Sequence, residues 1–137
     1  MRSEVLAATS GALLLAIGIG VGALGAHLLK VRLGPEHYAT LQTAVHYQQV
    51  DALGLLALGA WLRASAQSRD AHVDDGLRPA VWLVIAGAVL FSGSLYGLLA
   101  GAPRYTGVLT PLGGVAMIAG WLLAVRAFWR SRSTPGT

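Results

Sequence analysis

The chain reads as an all-α integral membrane protein: a four-helix bundle made of two antiparallel hairpins, with both termini on the cytoplasmic side. Composition gives the first reason. Of its 137 residues 55% are hydrophobic and 12% charged, and mean hydropathy is +0.61, whereas about 25% of an ordinary soluble domain is charged. The second reason is length, because four apolar runs, at 5–29, 41–62, 80–100 and 108–129, each reach the roughly 20 residues that a membrane helix needs. Charge placement is the third. With four crossings, Arg2, Arg63, Arg69, Arg78, Arg126, Arg130 and Arg132 fall on the side of the termini, against Lys30, Arg32 and Arg104 on the other. The positive-inside rule then puts the termini in the cytoplasm.

The first helix follows Arg2 and carries a small-residue ladder, Gly18, Gly22 and Ala26. Such ladders let helix backbones approach closely. Its apolar stretch is about twice the length of a secretory signal core, so it is expected to remain as a helix, ending at His27 before the basic flank of Lys30 and Arg32. Gly34-Pro35-Glu36 is a helix start signal: proline is tolerated in a first turn, and an acid suits the positive end.

The second helix holds most of the polar residues of the spans: Gln42, His46, Tyr47, Gln48, Gln49 and Asp51. At about 100° per residue, Gln42, His46 and Gln49 share one face, and Tyr47 and Asp51 lie on nearly the opposite one. Asp51 falls close to mid-bilayer, where an ionised carboxylate costs about 2.5–3.5 kcal/mol unless paired, hydrated or protonated. It needs a partner or a proton. The polar stretch 63–79 is expected as a solvated cytoplasmic loop.

The third helix carries Ser92, Ser94 and Tyr96 together with a second ladder, Gly93, Gly97 and Gly101, expected to pack within the chain. Thr110 and Pro111 read as N-cap and first helical residue of the fourth helix, and 130–137 as a flexible tail. Trp61, Trp82 and Trp129 stand near cytoplasmic helix ends, as interfacial anchors do. Because successive helices run in opposite directions, His27, Gln42, His46, Tyr47, Gln48, Asp51, Ser92, Ser94, Tyr96 and Thr110 share the extracytoplasmic half, as one polar cluster. Two helix N-termini open there. Together with Lys30, Arg32 and Arg104, and with Gly113 and Gly114 in the first turn of the fourth helix, they form a mouth suited to an anion or a lipid head group.

Several chemistries are excluded or disfavoured. The chain has no cysteine, so disulfides, thiolate metal sites and a cysteine nucleophile drop out. No phosphate-binding glycine loop, zinc-protease helix or serine nucleophile elbow is present. The arginines are spread over short flanks without interleaved aromatics, which argues against nucleic acid. His72 with Asp70, Asp74 and Asp75 lacks a calcium or zinc spacing. Neither a metal nor a cofactor is expected.

Gly25-Ala26-His27, Tyr47-Gln48, Phe91-Ser92-Gly93-Ser94-Leu95-Tyr96, Thr110-Pro111-Leu112-Gly113-Gly114 and Gly120-Trp121 occur in an order and spacing that resembles one family. It is similar to the small bacterial inner-membrane proteins of domain-of-unknown-function family 423, related to eukaryotic transmembrane protein 256. The resemblance extends from the first helix to Trp121 and implies four spans with no established activity. One departure is Asp51, where the family pattern commonly has histidine; the exchange weakens any role needing an imidazole there.

Three function classes remain. The favoured one is a non-catalytic membrane protein, accessory or binding lipid or a partner, with membrane lipid, another membrane protein or a second copy as its contacts. The alternative is a small proton-coupled or solute transporter using Asp51. A haem-binding redox protein using His27 and His46 ranks last.

Overall fold

Apolar residues run round every face of the long segments, and such segments satisfy their backbone only as helices in lipid. The computed structural model describes residues 2–66 and 71–131, and its regular elements are all helical. Helix α1 spans Ser3–Leu24 and passes into a π-helical turn, Gly25–Leu29. Helix α2 spans Lys30–Ala66, α3 spans Ala71–Leu99, a 3₁₀ turn covers Arg104–Val108, and α4 spans Leu109–Ser131. Among the described residues three stretches are long and apolar enough to cross a membrane: Ser3–Ser65, Gly76–Leu99 and Arg104–Arg130.

The first of these is broken by one residue. Gly34 has φ 71° and ψ 168°, a conformation open almost only to glycine, and helix resumes at Pro35. The chain doubles back there, so that α1 lies along the rest of α2. Helix therefore persists to residue 33 before the turn, through a segment expected to be connection. At the far end of α3, Gly101 has φ 93°. Ala102 N–H bonds Gly97 O at 2.9 Å and Gly101 N–H bonds Leu98 O at 3.1 Å, the pair of bonds that closes a Schellman motif.

The expected loop 63–79 is mostly helical. Helix α2 runs on to Ala66 through Ala64, both good helix formers, and α3 starts at Ala71 and continues through Pro79. Arg69, Asp70 and the tail from Arg132 lie outside the described residues, as do the side chains of His72, Asp74 and Asp75. At the start of α4, Leu109 precedes Thr110 in the helix. The threonine hydroxyl lies 2.7 Å from Ser94 Oγ, so Thr110 links two helices where it was expected to cap one.

Helix α1 packs on α2 and α3 on α4, and α2 against α3 joins the two hairpins. Close approach relies on glycines. A Cβ at Gly11 would stand 2.8 Å from Ala52 O, and one at Gly59 2.9 Å from Ala8 N. Between α3 and α4, a Cβ at Gly87 would stand 2.6 Å from Met117 N, one at Gly120 2.9 Å from Val84 N, and one at Gly113 would strike the Phe91 backbone. The Gly18 and Gly22 positions face α2, as the first ladder requires. The second ladder packs within the chain only at Gly97, where an added Cβ would lie 3.7 Å from Ala102 and 3.8 Å from Thr106, while Gly93 and Gly101 have no atom within 4 Å of one; α3 meets α4 mainly through a different face.

Leu6, Ala7, Leu55, Leu58, Leu62, Leu77, Ala80, Val81, Val84 and Ala124 form the buried apolar cluster. These positions belong to the half of the helices nearest Ala66 and Ala71. Apart from Ser3, the buried polar residues occupy the other half and the middle.

Candidate functional site: a polar centre between the helices

The buried stripe of α2 comprises Leu41, Ala44, Gln48, Asp51, Ala52, Leu55, Leu58 and Leu62, in steps of three or four residues except for the adjacent pair Asp51 and Ala52, as one helical face requires. Gln48 and Asp51 interrupt it, at 3% exposure each. Each takes hydrogen bonds from another helix.

Gln48 joins three helices. Its Nε2 donates to Leu14 O of α1 at 2.8 Å, and its Oε1 accepts from Tyr96 Oη of α3 at 2.9 Å. One turn outward, Ser92 Oγ donates to Ala44 O at 2.9 Å, tying α3 to α2. Ser94 Oγ and Thr110 Oγ1 tie α3 to α4, and Ser94 Oγ also donates to Phe91 O at 2.9 Å. In lipid such bonds contribute about 0.6 kcal/mol each, up to about 1.7.

Asp51 meets α4. Trp121 Nε1–H donates to Asp51 Oδ1 at 2.8 Å, and the Trp121 ring covers Gly54, where a Cβ would collide with it. Asp51 Oδ2 is buried with no hydrogen-bond partner among the described residues. Trp121 was missing from the expected site, and residue spacing could not have found it across 70 positions. The available signal was chemical: a tryptophan in mid-span needs an acceptor for its N–H, and Asp51 is an acid at matching depth.

The remaining expected residues separate from this centre. His27 and His46 are exposed, and Tyr47 is 46% exposed. Tyr47 stacks edge-on against Phe91 at 5.2 Å and against His46 at 5.6 Å. Gln42 Nε2 donates to Tyr38 Oη at 3.2 Å. Lys30, Arg32 and Arg104 are exposed, and Lys30 Nζ lies 5.8 Å from the centre of the Tyr38 ring. Gly113 and Gly114, expected beside an anion, are covered by Phe91. The expected cluster thus divides into an inward-facing set, with Gln48, Asp51, Ser92 and Ser94 buried and Tyr96 and Thr110 half-buried, and an outward-facing set. Among the described residues no three His, Cys, Asp or Glu side chains gather as a metal site.

Comparison with known proteins places this architecture. The model of the "Protein of unknown function (DUF423)" family matches residues 21–114. A UPF0382 membrane protein of Staphylococcus haemolyticus is 36% identical over 115 residues, 84% of this chain and 88% of that protein. The UPF0382 membrane protein YwdK of Bacillus subtilis is 38% identical over 117 residues, covering 85% and 90%. The UPF0382 inner membrane protein YgdD of Escherichia coli is 35% identical over 125 residues, covering 87% and 82%. No solved structure matches. With its family model matched across all the described buried polar residues of the centre, and with relatives named as membrane proteins along most of its length, this chain belongs to the DUF423 family of membrane proteins.

Proposed function

We propose that the chain is a non-catalytic protein of the bacterial inner membrane, an accessory or lipid- or partner-binding factor whose polar centre holds its helices together. In this reading it crosses the membrane four times as a four-helix bundle with both termini in the cytoplasm. The stretch Ser3–Ser65 has 63 residues, far beyond the roughly 20 of one crossing, and its halves pack on each other, which supports two crossings there. Lys30, Arg32 and Arg104 then lie together on the outer side, where their exposure suits an anionic head group.

The observation that carries the reading is the fate of the deepest polar groups. Gln48, Ser92, Tyr96 and Trp121 spend their hydrogen bonds between helices, which leaves, among the described residues, no string of free polar groups between the helices for a solute to follow. The second reading, a small proton-coupled carrier, rests on the buried unpartnered Asp51 Oδ2. Vesicles containing the purified protein separate the two. Under imposed pH and potential gradients we expect proton flux no greater than in protein-free vesicles; flux by wild type that Asp51→Asn abolishes would establish the carrier.

A further inference from the structure

A groove of about 670 Å³ opens between the outer ends of α1 and α2, with Gly22 and Ala26 on one wall and Gln42, His46 and Gln49 on the other. At about 100° per residue these three polar side chains form one stripe along α2. Gln42 reaches Tyr38, but His46 and Gln49 make no side-chain hydrogen bond among the described residues.

Depth makes the unmet groups costly. In the four-crossing reading Arg63 marks the inner boundary, and a hydrocarbon core of about 30 Å at 1.5 Å per residue ends near Gln42. His46 and Gln49 therefore sit roughly 5 Å and 9 Å inside the apolar layer, where acyl chains offer neither donors nor acceptors. A lipid head group stays at the interface and leaves Gln49 unmet. The occupant has to be polar along the whole stripe, as another helix can be.

We infer that a second copy of this chain fills the groove, in a two-fold dimer whose axis runs along the membrane normal and whose Gln42, His46 and Gln49 stripes face each other. Such an axis sets every residue at the same depth as its copy. A primary amide carries both donors and an acceptor, and a neutral imidazole one of each, so the stripe is complementary to itself at each level. Gly22 and Ala26 beside it leave room for the partner's side chains, as small residues do where membrane helices meet. Lys30 and Arg32 precede the break at Gly34 and stand outside the groove, in water, where salt screens repulsion between copies beyond about 8 Å. The inference deepens the proposed partner-binding function and rests on it.

The test counts subunits by stepwise photobleaching of the full chain in dilute liposomes, labelled through Arg130→Cys, since the chain has no cysteine of its own. The labelled chain is expected to bleach mostly in two steps. Adding His46→Leu and Gln49→Leu should raise the dimer dissociation constant roughly tenfold and leave mostly single steps. The stem of Gln49 lies over Gly18, and leucine keeps a carbon there, but His46→Leu gives up the ring contact with Tyr47. The pair His46→Gln, Gln49→Asn gives up the same contact and keeps the polar groups, so it should still dimerise. A second readout locates the contact: on oxidation in membranes Gln42→Cys should form a disulfide between copies, and Leu112→Cys, exposed on α4, should not. A monomeric labelled chain, undiminished dimer in the leucine variant, or cross-linking at Leu112→Cys with none at Gln42→Cys overturns the interface. Failure of the proposed function looks different: a dimer that meets every expectation yet conducts protons through Asp51 would keep the interface and overturn the non-catalytic reading.

Discussion

At the scale of single residues, the contact between Asp51 and Trp121 carries the sharpest consequence. Trp121→Phe deletes the only donor on Asp51 among the described residues together with the part of the indole that covers Gly54, and the orphaned buried polar group alone costs about 1–3 kcal/mol. In an Asp51→Leu background the same exchange should cost about 1–3 kcal/mol less, because only the packing over Gly54 is lost and nothing is left to orphan. Unfolding curves in detergent micelles measure both. Gln48 and Tyr96 form a second pair for a double-mutant cycle, Gln48→Leu with Tyr96→Phe. The expected coupling is about 0.6 kcal/mol and at most about 1.7; strict additivity would show that their bond contributes nothing. Sequence pointed to Asp51 through the cost of a carboxylate at mid-span. It could not supply the donor, because Trp121 lies 70 residues away and only the packing of α4 across α2 brings it in.

At the scale of helices, glycine positions that look alike in sequence behave in opposite ways. Gly113→Ala drives a methyl into the Phe91 backbone, an overpacking expected to cost about 1–3 kcal/mol as α3 and α4 are forced apart. Gly93→Ala meets open space on α3 and should be neutral or gain up to about 1 kcal/mol of helix propensity. At Gly101 the backbone rather than the space is decisive. With φ at 93°, alanine there should cost about 1–2 kcal/mol. The four apolar runs were legible because length and hydropathy alone define them, and Gly34-Pro35 announced the restart of α2. Which small-residue ladder faces a neighbour was not legible, since apolar residues run round every side of the helices that carry the ladders and none of those sides is marked as facing lipid. The same lack of contrast hid the helical continuation beyond residue 62, where polarity signalled water and was read as loop.

At the scale of the whole molecule, the proposed four crossings with both termini inside would set which side of the membrane Lys30, Arg32 and Arg104 meet. Relatives named as membrane proteins support residence in the membrane, while the number and sense of the crossings rest on the packed hairpins and the distribution of arginine. The chain has no cysteine, so each introduced cysteine is the sole target of a thiol reagent. Labelling of intact cells with a membrane-impermeant maleimide is therefore the most direct measurement. Cysteines at Arg32 and Arg104 should react from outside, and cysteines at Arg2, Arg63 and Arg130 only after the membrane is opened. Reaction of Arg2→Cys or Arg63→Cys in intact cells, or protection of Arg32→Cys and Arg104→Cys, would contradict two outward-pointing hairpins and move the polar half of the protein to the cytoplasmic face.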